Sequence, residues 1–269
     1  MSDAFHQNNA FNLEISKWQE INPQLRAGFT TRNGGVSHSP YTSWNFGFHV
    51  GDEKEHVIKN RELLAEKLSL PLENWVSGEQ THQTTIQIVD DQDKGKGAKT
   101  NQTAIAKTDG LITNQKEILC TAFFADCVPI YFFDPVSEYI GIAHAGWNGT
   151  VNRIAEKMVL KFESIGVDTQ SLLVAIGPCI SQGKYEVDEH VISHIEGNER
   201  QNTIISKENN RYLLSLKQLN TDILLHSGVL RNNIDVTAYC TFRDQHLFFS
   251  HRRDNGKTGR MLGFIGFAE

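Results

Sequence analysis

The stretch from Cys120 to Asn152, CTAFFADCVPIYFFDPVSEYIGIAHAGWNGTVN, constrains the fold of this chain more than any other. Two apolar, aromatic-rich runs, Ala122 to Phe133 and Tyr139 to Ala143, read as buried strands. Each leads to side chains that chemistry uses: Asp126 with Cys127 in the first, and His144 just after the second. A Gly-Trp-Asn-Gly turn follows His144 and a helical pattern begins, so the reactive groups fall at the ends of neighbouring strands beside a helix start.

The helical pattern steps by three and four through Val151, Ile154, Met158, Phe162 and Ile165 and closes at Gly166; Ser171 to Ile176 then reads as another buried strand. Strand, turn, helix and strand in succession argue for an α/β organisation. Upstream, a helix is predicted from about Glu55 to Leu68, with Val57, Leu64 and Leu68 on its inner face and Asp52 as its cap. Trp75 to Val89 alternates as a strand that takes in His82. Asp90 to Thr108 reads as a polar surface loop, and its GKGAKT segment breaks the residue order of a phosphate loop. Downstream, Val187 to Ile195 is predicted as a short helix showing His190 and His194 to solvent. A further helix carries Leu216, Leu219, Ile223 and Leu224 up to Gly228, and Val236 to Thr241 is a strand. With no linker-like composition and no internal repeat, residues 1–269 are expected to form one domain.

At 269 residues and 39% hydrophobic, the chain can bury a sizeable core. Its 26 Lys and Arg against 32 Asp and Glu give a net charge of −6, which carries no electrostatic footprint for nucleic acid or an anionic membrane. Met1 to Asn9 is polar and no run approaches the roughly 18 apolar residues of a membrane span, so a cytoplasmic location is expected. The cysteines at 120, 127, 179 and 240 include no Cys-x-x-Cys pair and read as free thiols, one of them available as a ligand or nucleophile.

Considered together, His82, Cys127 and His144 offer two imidazoles and a thiolate. Zinc favours such nitrogen and sulfur donors, and three protein ligands leave a fourth position open, as in catalytic sites. The same trio suits a second chemistry, with Cys127 as nucleophile, a histidine as its base and Asp126 as orienting group, acid or base. Copper is the alternative metal, but the 11 histidines include no His-x-His pair of the kind multicopper oxidases use. In a regular strand Asp126 would point away from Cys127, so both face one site only if the backbone bulges or loops there.

The motifs ADCVPI, HAGWNGT, GPCI followed by Tyr185 and Val187, QTH, NFG, and HRRD with GR in the tail, taken together, resemble the YfiH-like proteins, also called the laccase-domain or polyphenol oxidase family. The resemblance runs from about residue 28 to 267. It implies an α/β sandwich (α+β) of mixed β-sheets flanked by helices, and a zinc site on His82, Cys127 and His144. It also implies a multifunctional purine nucleoside activity: phosphorolysis of adenosine, inosine, guanosine and S-methyl-5′-thioadenosine to free base and ribose 1-phosphate, and deamination of adenosine. Purine nucleoside and phosphate are then the partners, with the protein a monomer or small homo-oligomer. For that chemistry the planar forks of Arg32, Arg61 and Arg252 are candidates to hold phosphate, and Asn45 to bond the ribose or base. Asp126 is the carboxylate next to the centre, expected to carry the proton that deamination requires. The alternatives are a peptidoglycan-precursor editing hydrolase and a copper-dependent polyphenol oxidase.

Overall fold

The long apolar runs pair into sheets that are buried on both faces. The computed structural model describes residues 3–195 and 197–268; Met1, Ser2, Glu196 and Glu269, which the one-domain expectation also takes in, lie outside the described residues. In chain order the strands are β1 (Asn12–Glu14), β2 (Leu25–Thr30), β3 (Trp75–Ser77), β4 (Ile86–Ile88), β5 (Gly110–Thr113), β6 (Leu119–Phe124) and β7 (Val128–Asp134). They continue with β8 (Tyr139–Ala145), β9 (Leu173–Ile176), β10 (Glu186–Asp188), β11 (Ile204–Ser206), β12 (Arg211–Leu214), β13 (Ile234–Val236) and β14 (Met261–Phe267). One sheet has five strands in the order β1-β2-β14-β6-β3, a second has six in the order β13-β9-β7-β8-β5-β4, and β10-β12-β11 form a small third. Both large sheets mix parallel and antiparallel pairs.

The two large sheets stack face to face. Phe29, Phe124, Ile265 and Phe267 from one meet Tyr131, Phe133, Ile140 and Ile142 from the other in a shared core. The alternate residues of β7, Ile130 and Phe132, point to the opposite face, where helices cover them. This double burial is why the strand reads as a continuous apolar run instead of an alternating one. The helices are α1 (Ser16–Ile21), α2 (Lys54–Leu68), α3 (Trp147–Val151), α4 (Ile154–Ser164), α5 (Glu189–Ile192), α6 (Gly197–Thr203) and α7 (Leu216–His226). Leu64 and Leu68 of α2 cover the outer face of the five-stranded sheet, while α4 and α7 cover the six-stranded one. The α/β architecture of mixed sheets flanked by helices is therefore as expected. Among the described residues no helix is long and apolar enough to cross a membrane.

Several elements differ from expectation, most of them where a short turn interrupts an apolar pattern. The run Ala122 to Phe133 breaks after Phe124, and the chain crosses from the five-stranded to the six-stranded sheet through Ala125, Asp126 and Cys127. Asp126 makes this crossing in the left-handed region, at φ 89°. His82 lies in the connection between β3 and β4, also at positive φ, 59°, and not in a strand. That connection is a second crossing between the same two sheets.

The helix after His144 is two pieces, α3 and α4, separated at Arg153 with φ 67°. The expected helix from Val187 starts as strand β10 and is helical only over Glu189–Ile192, and the expected strand from Val236 stops there. Asp52 does not cap α2; its carboxylate instead accepts from Ser37 Oγ (2.7 Å) and Asn45 Nδ2 (2.9 Å). The Asp90 to Thr108 loop is tied down, with Ala98 buried and its carbonyl bonded to Arg61.

Candidate active site

The two crossings and the end of β8 meet at one place. His144 is held there by Asp109, the residue just before β5, the neighbour of β8: His144 N donates to Asp109 O at 2.8 Å, and His144 Nδ1 lies 2.8 Å from Asp109 Oδ1. A carboxylate only accepts, so Nδ1 carries a proton to Asp109 and leaves Nε2 for Cys127. The same carboxylate accepts from Thr81 N (3.1 Å), His82 N (3.1 Å) and Gln83 N (2.9 Å). The turn that presents His82 is thus wrapped around the group that orients His144.

Cys127 completes the trio. One ligand atom from each of His82, Cys127 and His144 lies within 4.8 Å of the other two. Burial pushes the Cys127 thiol up, but His144 and His82 beside it outweigh this and hold it at about 6. Burial likewise pushes His144 down, while Cys127 and Asp109 draw it up to about 9. A thiolate facing the His144 imidazolium is the charge arrangement that a divalent cation replaces on binding, releasing the imidazolium's proton.

The residues fit a zinc-like ion. Two nitrogens and one sulfur stand close enough for bonds of roughly 2.0–2.3 Å, and one imidazole already has the carboxylate partner that ligating histidines commonly have. Gly146 provides room: a Cβ there would stand 3.1 Å from His82 Cδ2 and 3.2 Å from Cys127 Sγ. Its φ of −69° suits any residue, so the constraint is space and not backbone conformation. Gly146→Ala should therefore weaken metal binding several-fold, by about 1 kcal/mol or more from overpacking, in a chelator competition, with the circular dichroism spectrum unchanged.

The trio opens into a cavity of about 550 Å³, within the range of small-molecule sites. Phe123, Trp147 and Tyr185 give it aromatic walls, and Arg252 and Arg260 line it as cations.

The sequence model of the family described as multi-copper polyphenol oxidoreductase laccase matches residues 26–268. The chain belongs to this family. It is 43% identical over 263 residues to the purine nucleoside phosphorylase YlmD of Bacillus subtilis (strain 168), covering 96% of this chain and 95% of that relative. It is 37% identical over 256 residues to the purine nucleoside phosphorylase SSP1584 of Staphylococcus saprophyticus, covering 94% of this chain and 95% of the relative. Among solved structures it resembles the Bacillus licheniformis hypothetical protein YfiH, with TM-score 0.95 and 41% identity over 99% of this chain and all (100%) of that one. YlmD from Geobacillus stearothermophilus matches with TM-score 0.94 and 40% identity over 100% of both chains.

In this member of the laccase family the other expected site residues divide sharply. Arg252 lines the cavity, with its guanidinium 5.1 Å above the Tyr185 ring and Nη1 donating to Glu186 O at 2.7 Å. Arg61 does not reach it. Wholly buried, Arg61 donates Nε and Nη2 to Phe46 O (3.1 and 2.6 Å) and Nη1 to Gly97 O and Ala98 O (2.7 and 2.8 Å). The rings of Phe48 and Phe123 flank its guanidinium. Arg32 is also outside, donating to Thr42 O and lying 4.6 Å above the Phe249 ring. Asn45 is buried behind the wall, its Oδ1 accepting from Gly47 N (3.0 Å) and Arg260 N (2.9 Å).

Asp126 borders the cavity, but its carboxylate is occupied. Oδ1 accepts from Thr241 Oγ1 (2.6 Å), and Oδ2 from Ser250 Oγ (3.0 Å) and Arg252 N (2.7 Å). Its positive φ resolves the strand problem, since Asp126 and Cys127 share a bend and not a pleat. The groups that sequence reasoning missed are Asp109, Gly146, His49 and Arg260. Packed surroundings, then the charges of Arg260 and Arg61, push His49 down to about 4, so the imidazole it presents to the cavity is neutral at neutral pH.

Proposed function

We propose that this protein is a zinc-dependent purine nucleoside phosphorylase, converting adenosine, inosine, guanosine or S-methyl-5′-thioadenosine and phosphate to free base and ribose 1-phosphate. The observation that carries the reading is one cavity holding three metal donors, aromatic walls and arginines. The relatives named as purine nucleoside phosphorylases, at 43% and 37% identity, support it. Phosphorolysis breaks the bond between ribose C1′ and the purine nitrogen and forms one from C1′ to a phosphate oxygen, with positive charge growing on the sugar between the two. Flat rings suit a purine face, and Trp147, Tyr185 and Phe123 provide them. Arginine forks suit the phosphate oxyanion. His82, Cys127 and His144 would hold the zinc, which when bound supplies a Lewis acid at that wall.

Adenosine deamination is the second activity proposed for the same cavity. With both Asp126 oxygens engaged, Glu79 is the lining carboxylate suited to carry the proton: its Oε2 accepts from Lys107 N at 3.2 Å and Oε1 faces no donor among the described residues. A single centre with two nitrogens and a sulfur suits redox-inert zinc better than a multicopper relay.

The test is phosphate dependence. Metal-loaded protein given inosine should release hypoxanthine and ribose 1-phosphate in step with added phosphate, and very little base without it. Base release at the same rate in phosphate-free buffer would make the protein a hydrolase and sink the reading.

A further inference from the structure

Arg260 is built into the cavity wall by two sequence motifs that are far apart in the chain. Asn45 Oδ1 accepts from Arg260 N at 2.9 Å, and Phe46 N donates to Arg260 O at 3.0 Å, so residues 45 and 46 clasp the Arg260 backbone from both sides. The next residue clears a channel for its stem: a Cβ on Gly47 would stand 2.8 Å from Arg260 Cγ and 3.2 Å from its Cβ. Gly259 is equally confined, since a Cβ there would lie 2.7 Å from the Phe249 ring and 3.1 Å from Asn45 Cβ. The NFG and GR motifs are therefore two halves of one fixture, and what they fix is a guanidinium.

That guanidinium has donors to spare. Nη1 bonds to Thr258 O (3.0 Å) and Gly259 O (3.1 Å), while Nε and Nη2 have no acceptor among the described residues. Arg153, Arg243 and Arg253 each have a carboxylate partner, and Arg260 has none among the described residues. Partial burial pushes its pKa down, against the nearby charges of Cys127 and Asp126. Behind Phe123 sits Arg61, solvated only by carbonyl groups and ring faces, which adds a second positive charge to the same wall. In a chain of net charge −6, this is a local site for an anion.

We propose that Arg260 is the residue that binds inorganic phosphate in this cavity, with Nε and Nη2 as the two-pronged donor and residues 45–47 as the device that aims it. The assignment rests on the phosphorylase reading for its substrate. Arg252, exposed and spending Nη1 on Glu186 O, lines the same cavity without such a clasp on its backbone.

Two variants test this on the metal-loaded enzyme, with steady-state kinetics on inosine and phosphate and calorimetric titration of inorganic phosphate. Arg260→Gln removes the fork; Gly47→Ala keeps it but displaces its stem, at a backbone φ of −91° that alanine adopts freely. Both should raise the KM for phosphate at least about tenfold while the KM for inosine stays within about twofold. Calorimetric phosphate binding should weaken in parallel. If wild type is phosphate-dependent and both variants keep the wild-type KM for phosphate, the assignment to Arg260 is overturned and the phosphorylase reading stands. If wild type neither binds phosphate nor needs it, the reading fails and takes the assignment with it.

Discussion

Cys127→Ala should purify without its metal and without activity. Removing the thiolate leaves His82 and His144 as the only donors of the trio, and two imidazoles hold a divalent ion far more weakly than two imidazoles and a sulfur. Since disturbing an outer partner of a ligand already costs about 10–100-fold in affinity, losing the ligand itself should cost more than about 100-fold. Elemental analysis after dialysis should fall from one ion per chain to background, with turnover following it. The same variant separates ligand from nucleophile: a Cys127→Ala protein that keeps one ion per chain and loses only turnover would overturn the ligand assignment and revive nucleophilic catalysis by the thiol.

Asp109→Asn is the second large effect. The carboxylate accepts from His144 Nδ1 and from the backbone amides of Thr81, His82 and Gln83, and an amide of the same shape keeps one acceptor oxygen and turns a donor toward those N–H groups. One orienting group thus serves two of the candidate donors, through the tautomer of His144 and the turn that carries His82. Metal affinity should drop about 10–100-fold, and kcat at sub-saturating zinc should drop with it. Excess zinc distinguishes this from simple damage to the fold, because it should restore much of the turnover if the defect is affinity. Activity lost equally at saturating zinc, with one ion bound, would show that Asp109 does something other than position the ligands.

What the sequence disclosed, and what it withheld, follows from the range over which each signal acts. The strands around Cys120 to Asn152 and the α2 and α7 helices were legible because their apolar positions repeat at the spacing of one buried face. The crossing at Ala125, Asp126 and Cys127 was not, because a turn of three residues with a single charged side chain, Asp126, is too short to break the apolar run into two. His82, Cys127 and His144 were recognisable by donor chemistry and family resemblance. Asp109 and Arg260 were not, since their meaning comes from partners 27 and 215 residues away in the chain.

Arginine shows the limit most plainly. Arg32, Arg61, Arg252 and Arg260 look alike in sequence, yet backbone carbonyls inside the protein consume the fork of Arg61, while Arg260 lines the cavity with Nε and Nη2 unbonded among the described residues. Only the surrounding acceptors decide which arginine serves a ligand. NFG and GR were visible as motifs, but that one exists to hold the other is a fact of packing.

The two passages of the chain from the five-stranded to the six-stranded sheet have a consequence beyond chemistry. One carries His82 and the other Cys127, and His144 ends a strand of the second sheet, so an ion bound by all three fastens both passages to the same knot. Binding energy for that ion would be available only when the layers are correctly stacked, so it would enter the folding equilibrium. In a cell short of the metal, the pool of intact molecules would shrink through turnover of the unfolded chain, and supply of the ion would set how much of the protein exists as well as how much of it works.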